Sequence, residues 1–253
     1  MKFGIVSFPG SNCDDDAVFA ATETLGEPAV KLWHKDHDLQ GSDVIILPGG
    51  FSYGDYLRAG AIARFSPIMR EVAAHARRGA PVIGICNGFQ IACEAGLLPG
   101  ALMRNSGLQF LSQPVTIRVE NTGTQWTSLC REGQCLTMPI AHGEGRYTVD
   151  AATLERVEGD GLVVFRYVDA SGEATEAANV NGSLDNIAGG RNAAGRDAAR
   201  ANAEAARFEA EAIRNVLGFE VARAFFTVLK TREFIGATEA GAGRGGAATS
   251  AVG

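Results

Sequence analysis

No apolar run in the 253 residues approaches the roughly 20 needed to cross a bilayer. The opening "MKFGIVSFPG" is too short and too soon interrupted for a secretory signal, so the expected compartment is the cytoplasm. Cys-x-x-Cys and mixed Cys/His spacings are also lacking. Five cysteines (Cys13, Cys86, Cys93, Cys130, Cys135) make an odd set without metal-site pattern, which argues for reduced thiols and against a zinc site or a disulfide frame. There is no basic run: 23 Lys and Arg against 29 Asp and Glu are scattered to a net charge of −6, so nucleic acid is not an expected partner. No G-x-x-x-x-G-K-[ST] loop occurs, and "GAGRGG" lies near the end of the chain and not after a strand, so no nucleotide cofactor is expected here. Histidine is scarce. The chain has four (His34, His37, His75, His142), and none follows His142.

What the chain does have is alternation. With 46% apolar residues it can bury a sizeable core. "KFGIVSF" reads as a buried strand and "DDDAVFAATETLG" as an amphipathic helix with an acidic first turn, stopped at Gly26. "AVKLWH" and "SDVIILPGG" follow as strands, the second apolar enough to be covered on both faces. "SPIMREVAAHARRG" is a helix and "PVIGIC" the fourth strand. This order predicts an α/β fold, a flavodoxin-like, mostly parallel sheet flanked by helices, with ligand sites at the carboxyl ends of its strands. "QPVTIRVEN", "QCLTMPIAHGEGRYTV" and "GLVVFRYVDASG" predict an antiparallel extension. The expected organisation is a domain over 1–189, an atypical Ala/Arg-rich segment and closing helix over 190–236, and a disordered tail over 237–253.

The junction "APVIGICNGFQIACEAG" carries the chemistry. Gly84-Ile85-Cys86-Asn87-Gly88 is a nucleophile elbow with sulfur for oxygen, in the strand-to-helix context such an elbow requires. The plain alternative is a buried cysteine in a packing turn. The helix that follows aims its N-terminus at the thiol, which predicts a lowered thiol pKa. In "ILPGGFSYGD", Gly49 and Gly50 end another strand, where backbone N–H groups can turn toward an oxyanion beside the N–H of Asn87. Of the histidines, His75 is expected on a solvated helix surface, and His34 and His37 in polar loops.

The motifs "PGSNCD", "PGGFSYGDYLRAGAIARF", "GICNGFQI", "GLLPGALMRN", "PIAHGEGRY" and "NGSLDNIAG" resemble the glutamine amidotransferase subunits of phosphoribosylformylglycinamidine synthases, a class I (triad) family, over about Met1 to Gly189. The resemblance implies that Cys86 attacks the side-chain amide of glutamine to give a thioester and ammonia. It implies oxyanion or substrate binding at Gly49, Gly50, Phe51, Asn87 and Gln90. It also implies a synthetase subunit and a small accessory subunit as partners, with ATP and Mg on the synthetase.

One part of the family pattern is missing. A Met-Pro-His-Pro-Glu-Arg run, which supplies the base and its carboxylate partner, belongs shortly after "NIAG", and "RDAARA" stands in its place. A G followed by codons for Met-Pro-His, read one base early, spells Asp-Ala-Ala, the residues at Asp197 to Ala199. The same shift turns a Leu-Leu-Gly-Ser run into Ala-Ala-Arg-Phe, present at Ala205 to Phe208. Residues 190–220 are therefore either a frame-shifted stretch later restored or a natural alanine-rich segment. His142 and Glu144, the chain's only His-x-Glu pair, are the candidate substitute base and partner. A role at a subunit interface or in ammonia delivery is the stronger reading for them, because the family carries that motif besides its triad. Two functions follow: a glutaminase with impaired proton transfer, or a non-catalytic assembly module whose complex uses free ammonia. A third reading, a flavodoxin-like hydrolase or stress protein, fits the elbow but not "PIAHGEGR" or "FSYGDYLR".

Overall fold

The structure is a computed structural model that describes residues 1–191. Of the atypical segment expected from the sequence only residues 190 and 191 are described; its remainder, the closing helix and the tail lie outside the described residues.

Four strands build the first sheet: β1 (Phe3–Ser7), β2 (Ala29–Trp33), β3 (Val44–Leu47) and β4 (Val82–Gly84). All pair in parallel, in the order β2-β1-β3-β4. β1 and β3 are buried along their whole lengths, as apolar strands covered on both faces must be. Side chains alternate between the faces. Val6, Leu32, Ile45 and Leu47 pack with Ile68, Met69 and Val72 of α2 (Ile68–Arg77) and with Ile91 and Ala92 of α3 (Asn87–Glu94). Phe3, Ile5, Val44 and Ile46 pack on the other face with Ala17 of α1 (Asp14–Phe19). α1 carries three aspartates in its first turn, where the helix dipole favours them, and widens into a π-helical turn over Ala20–Thr24 before Gly26 at φ +68°. β1 lies between β2 and β3, so the chain leaves it toward opposite faces on its two sides. Loops following β1, β3 and β4 open at this switch point.

A second sheet is antiparallel, in the order β10-β9-β6-β7, from β6 (Leu111–Val119), β7 (Cys135–His142), β9 (Val163–Val168) and β10 (Ile187–Gly190). A short ribbon pairs β5 (Ala101–Met103) with β8 (Arg146–Thr148). α4 (Ala151–Gly159), capped by the Asp150 carboxylate accepting from the Thr153 N–H at 2.8 Å, precedes β9. Tyr147, Val157, Leu162 and Ile187 bury together with Phe89 of α3, which fastens the second sheet to the elbow helix.

Two of the histidines correct the sequence expectation. His75 is buried, its Nε2 3.2 Å from the Asp43 carbonyl, because its position seven residues after Ile68 puts it on the inner face of α2. His34 is also buried and is not a loop residue exposed to water: its Nδ1 lies 2.7 Å from the Tyr53 hydroxyl, which also meets Ser66 Oγ at 2.9 Å. His37 is exposed. Burial lowers the pKa of His34, His75 and His142 below the ordinary histidine value of 6.5. The unfolded chain therefore binds more protons than the folded one between those lowered values and 6.5. The stability from these neutral rings is complete above that pH and is lost as pH falls through the folded values. Thermal unfolding scanned from about pH 8 to about pH 5 is expected to show a falling midpoint. A flat or rising midpoint contradicts neutral burial.

Candidate active site

Cys86 sits between β4 and α3 with φ 52° and ψ −110°, a left-handed conformation for a residue with a side chain. The flanking glycines make the bend possible. A Cβ on Gly84 would stand 2.5 Å from the Gly88 carbonyl oxygen, and one on Gly88 would overlap the Leu47 carbonyl. Leu47 is the register partner of Gly84, so β3, β4 and the helix start meet where no side chain fits. Backbone held in this region costs about 1–3 kcal/mol and marks sites where function requires it. Cys86→Gly is expected to raise the stability to denaturant by about 1 kcal/mol, the relief of strain less the greater freedom of glycine in the unfolded chain. An unchanged or lowered midpoint contradicts stored strain.

The thiol is open to solvent. Its sulfur lies 4.0 Å from the Ala141 carbonyl at the end of β7, and the Asn87 N–H donates to it from the first turn of α3. The protein mass around this exposed group still sets its acidity. Desolvation pushes the thiol pKa up, the Asn87 N–H opposes the rise, and the Asp55 carboxylate adds to it. The helix terminus therefore does not lower the thiol pKa as its direction alone predicts, because one N–H dipole is outweighed by lost hydration and a nearby negative charge. None of the four histidines is within hydrogen-bonding distance of the sulfur. His34 is tied to Tyr53 and His75 to Asp43, His37 is exposed, and His142 Nδ1 lies 3.2 Å from Asn105 Oδ1. His142 Nε2 is buried without a hydrogen-bond partner among the described residues, and the ring packs against Gly145, where a Cβ would strike it. It is Ala141, not His142, that reaches Cys86.

Gly49 and Gly50 stand beside the elbow. A Cβ on Gly49 would lie 3.5 Å from Cys86 Cβ, and Gly50 at φ +123° bridges to Ser11 and leaves no room for a Cβ against Asn12. The loop after β1 thus braces the Pro-Gly-Gly turn, with Tyr53 N–H donating to the Pro9 carbonyl at 2.5 Å. Phe51 is 53% exposed. Asn87 and Gln90 are buried and tie three loops together. Asn87 Oδ1 accepts from the Ser52 N–H at 3.1 Å, and its Nδ2 donates to Asp55 Oδ1 at 3.1 Å and to Gln90 Oε1 at 2.8 Å. Gln90 Nε2 donates to the Glu144 carbonyl at 2.8 Å. The Gln90 amide is thus engaged at both ends by the protein. Glu144 Oε2 accepts from the Ala59 N–H at 3.4 Å, and its carboxylate stands near Arg104 and not beside an imidazole. Burial raises the Asp55 pKa, the Glu144 charge raises it further, and the Asn87 bond opposes.

Asp55, Asn105 and Ala141 are site neighbours that the sequence did not single out. Only Asp55 carried a signal, inside "PGGFSYGD". Asn87→Ala leaves Gln90 Oε1 and the Ser52 N–H without partners in a buried place, and is expected to cost about 2 kcal/mol. Hydrogen exchange over residues 49–55 is expected to quicken, and unchanged exchange there contradicts the tie. An open groove of about 610 Å³ lined by Ala73, Arg77, Leu97, Pro99 and Arg156 holds none of these residues.

Comparison with known proteins agrees with this geometry. A family model described as a CobB/CobQ-like glutamine amidotransferase domain matches residues 1–211. Phosphoribosylformylglycinamidine synthase subunit PurQ of Chlorobaculum tepidum is 58% identical over 189 residues, covering 75% of this chain and 81% of that protein. The protein of the same name from Moorella thermoacetica is 58% identical, with 75% and 80% covered. Among solved structures, PurLQS from Thermotoga maritima superposes with a TM-score of 0.67 at 38% identity, over 91% of this chain and 98% of that one. With the model spanning most of its length and the elbow thiol at the carboxyl end of the parallel sheet, the chain belongs to the CobB/CobQ-like glutamine amidotransferase domain family.

Proposed function

We propose that the chain is the glutaminase subunit of a phosphoribosylformylglycinamidine synthase in purine biosynthesis, working in a complex with a synthetase subunit and a small accessory subunit. The observation that supports this most is the exposed Cys86 on its strained bend, in a chain 58% identical to subunits of that name. Cys86 Sγ attacks the side-chain amide carbon of glutamine. The Asn87 N–H, already aimed at the sulfur, and an N–H of the Gly49-Gly50 turn receive the developing oxyanion. Ammonia leaves and a thioester remains, which water hydrolyses to glutamate. The ammonia passes to the synthetase, where ATP and Mg belong.

Each half-reaction moves a proton, and no imidazole stands at the sulfur to carry it. The same observation favours a second reading, an assembly module whose complex draws on free ammonia. The test is amidine formation by the reconstituted complex from formylglycinamide ribonucleotide and ATP, with glutamine or with an ammonium salt. Product with ammonium and a low, Cys86-dependent yield with glutamine supports the impaired glutaminase. Ammonium-dependent product with none from glutamine selects the assembly module, and no product with either nitrogen source contradicts both.

A further inference from the structure

A second thiol faces the elbow. A single carbon placed on Gly49 would lie 3.5 Å from Cys13 Sγ and 3.5 Å from Cys86 Cβ, so both cysteine side chains border the same glycine. They come from different loops, Cys13 from the turn after β1 and Cys86 from the turn after β4. The loop after β1 is held to the Pro-Gly-Gly loop after β3 by the Ser11–Gly50 bridge and the Pro9–Tyr53 bond, and that loop is held to the elbow by the Ser52 N–H donating to Asn87 Oδ1 at 3.1 Å. Cys86 is exposed and Cys13 half-buried, which gives the pair an order: Cys86 meets an oxidant first and Cys13 lies behind it.

We propose that Cys13 and Cys86 form a reversible disulfide when the protein meets a hydroperoxide. The Cys86 thiolate attacks the peroxide oxygen, forming an S–O bond as the O–O bond breaks, and the leaving alkoxide or hydroxide takes up the thiol proton. The Cys13 thiolate then attacks the sulfenic sulfur. The S–S bond forms, the S–O bond breaks, and hydroxide leaves with the Cys13 proton as water. Two thiols lose two hydrogens, and the hydroperoxide is reduced to alcohol, or water, plus water. Closure needs the Cβ atoms to approach to about 3.8 Å, a movement that no side chain at position 49 obstructs. On the glutaminase reading the bond blocks the nucleophile until a dithiol restores it; the chemistry itself does not depend on that reading.

The test reads peptide masses and so is independent of turnover. The full-length protein is treated with hydrogen peroxide at mildly alkaline pH, alkylated, and digested with trypsin and chymotrypsin, which cuts at Phe89 and separates Cys86 from Cys93. The expected product is a Cys13–Cys86 linked peptide, lighter by two hydrogens and released by dithiothreitol. In Cys13→Ser the link is lost and Cys86 proceeds to sulfinic and sulfonic acids. Gly49→Ala, whose methyl makes only ordinary van der Waals contacts, sets a carbon against both Cys13 Sγ and Cys86 Cβ, crowding their approach, and is expected to lower the linked yield at least tenfold. Absence of the linked peptide from the wild-type protein overturns the proposal, as does equal over-oxidation of Cys86 with and without Cys13, or a link that survives Gly49→Ala undiminished.

Discussion

Glutamine hydrolysis by the protein assembled with its partners is expected to run about 10²- to 10⁴-fold below that of a thiol glutaminase with a base at the sulfur, the usual worth of a positioned proton carrier. The size of the deficit follows from what surrounds Cys86. Desolvation and the Asp55 charge hold the thiol protonated, the Asn87 N–H offsets them only in part, and the acceptor the sulfur meets among the described residues is the Ala141 carbonyl at 4.0 Å, which cannot take a proton to ammonia. The bend that presents the thiol is intact, so the residual rate should fall to background in Cys86→Ala. Turnover at the level of ordinary glutaminases, abolished by that substitution, contradicts the account and requires a base that the four histidines do not provide.

Gly88→Ala is expected to be the most damaging substitution in the domain, costing about 3 kcal/mol or more. The new methyl would occupy the space of the Leu47 carbonyl, which cannot yield without breaking the β3–β4 register that aligns the Pro-Gly-Gly turn with the elbow. Thermal unfolding should drop by many degrees, and where folded protein is recovered, Cys86 should be alkylated at a changed rate. Gly26→Ala is the comparison: a Cβ there meets nothing within 4 Å, so its cost is limited to the positive φ. If Gly88→Ala is no worse than Gly26→Ala, close packing at the bend is not what the glycines serve.

Much of this arrangement was legible in the sequence because its signals are local. Apolar runs ending in glycine marked β1, β3 and β4, and the two glycines around Cys86 marked the bend. α4 has a weak sequence signal, since only Leu154 and Val157 give it an apolar stripe, although Asp150 and Thr153 supply a cap signal. The three-and-four spacing from Ile68 through Val72 to His75 already placed that histidine inside, and the Arg and Ala residues around it obscured the pattern. The contact between Ala141 and Cys86 has no sequence signal. It depends on how the second sheet rests on α3, a non-local packing result set by Phe89 against Tyr147 and Ile187. The acidity of the thiol departs from the sequence expectation for a related reason: a helix dipole is visible in a sequence, whereas desolvation and the carboxylate of Asp55 are visible only in three dimensions.

The most direct measurement of the central claim is the pH dependence of Cys86 alkylation by iodoacetamide, followed by mass spectrometry on the full-length protein. A thiol without an imidazole partner should give a rate that is low at neutral pH and still climbs beyond about pH 8.5, where an unperturbed thiol is half-ionised. A rate that reaches its plateau below about pH 7, as for a thiolate paired with a cationic ring, contradicts it.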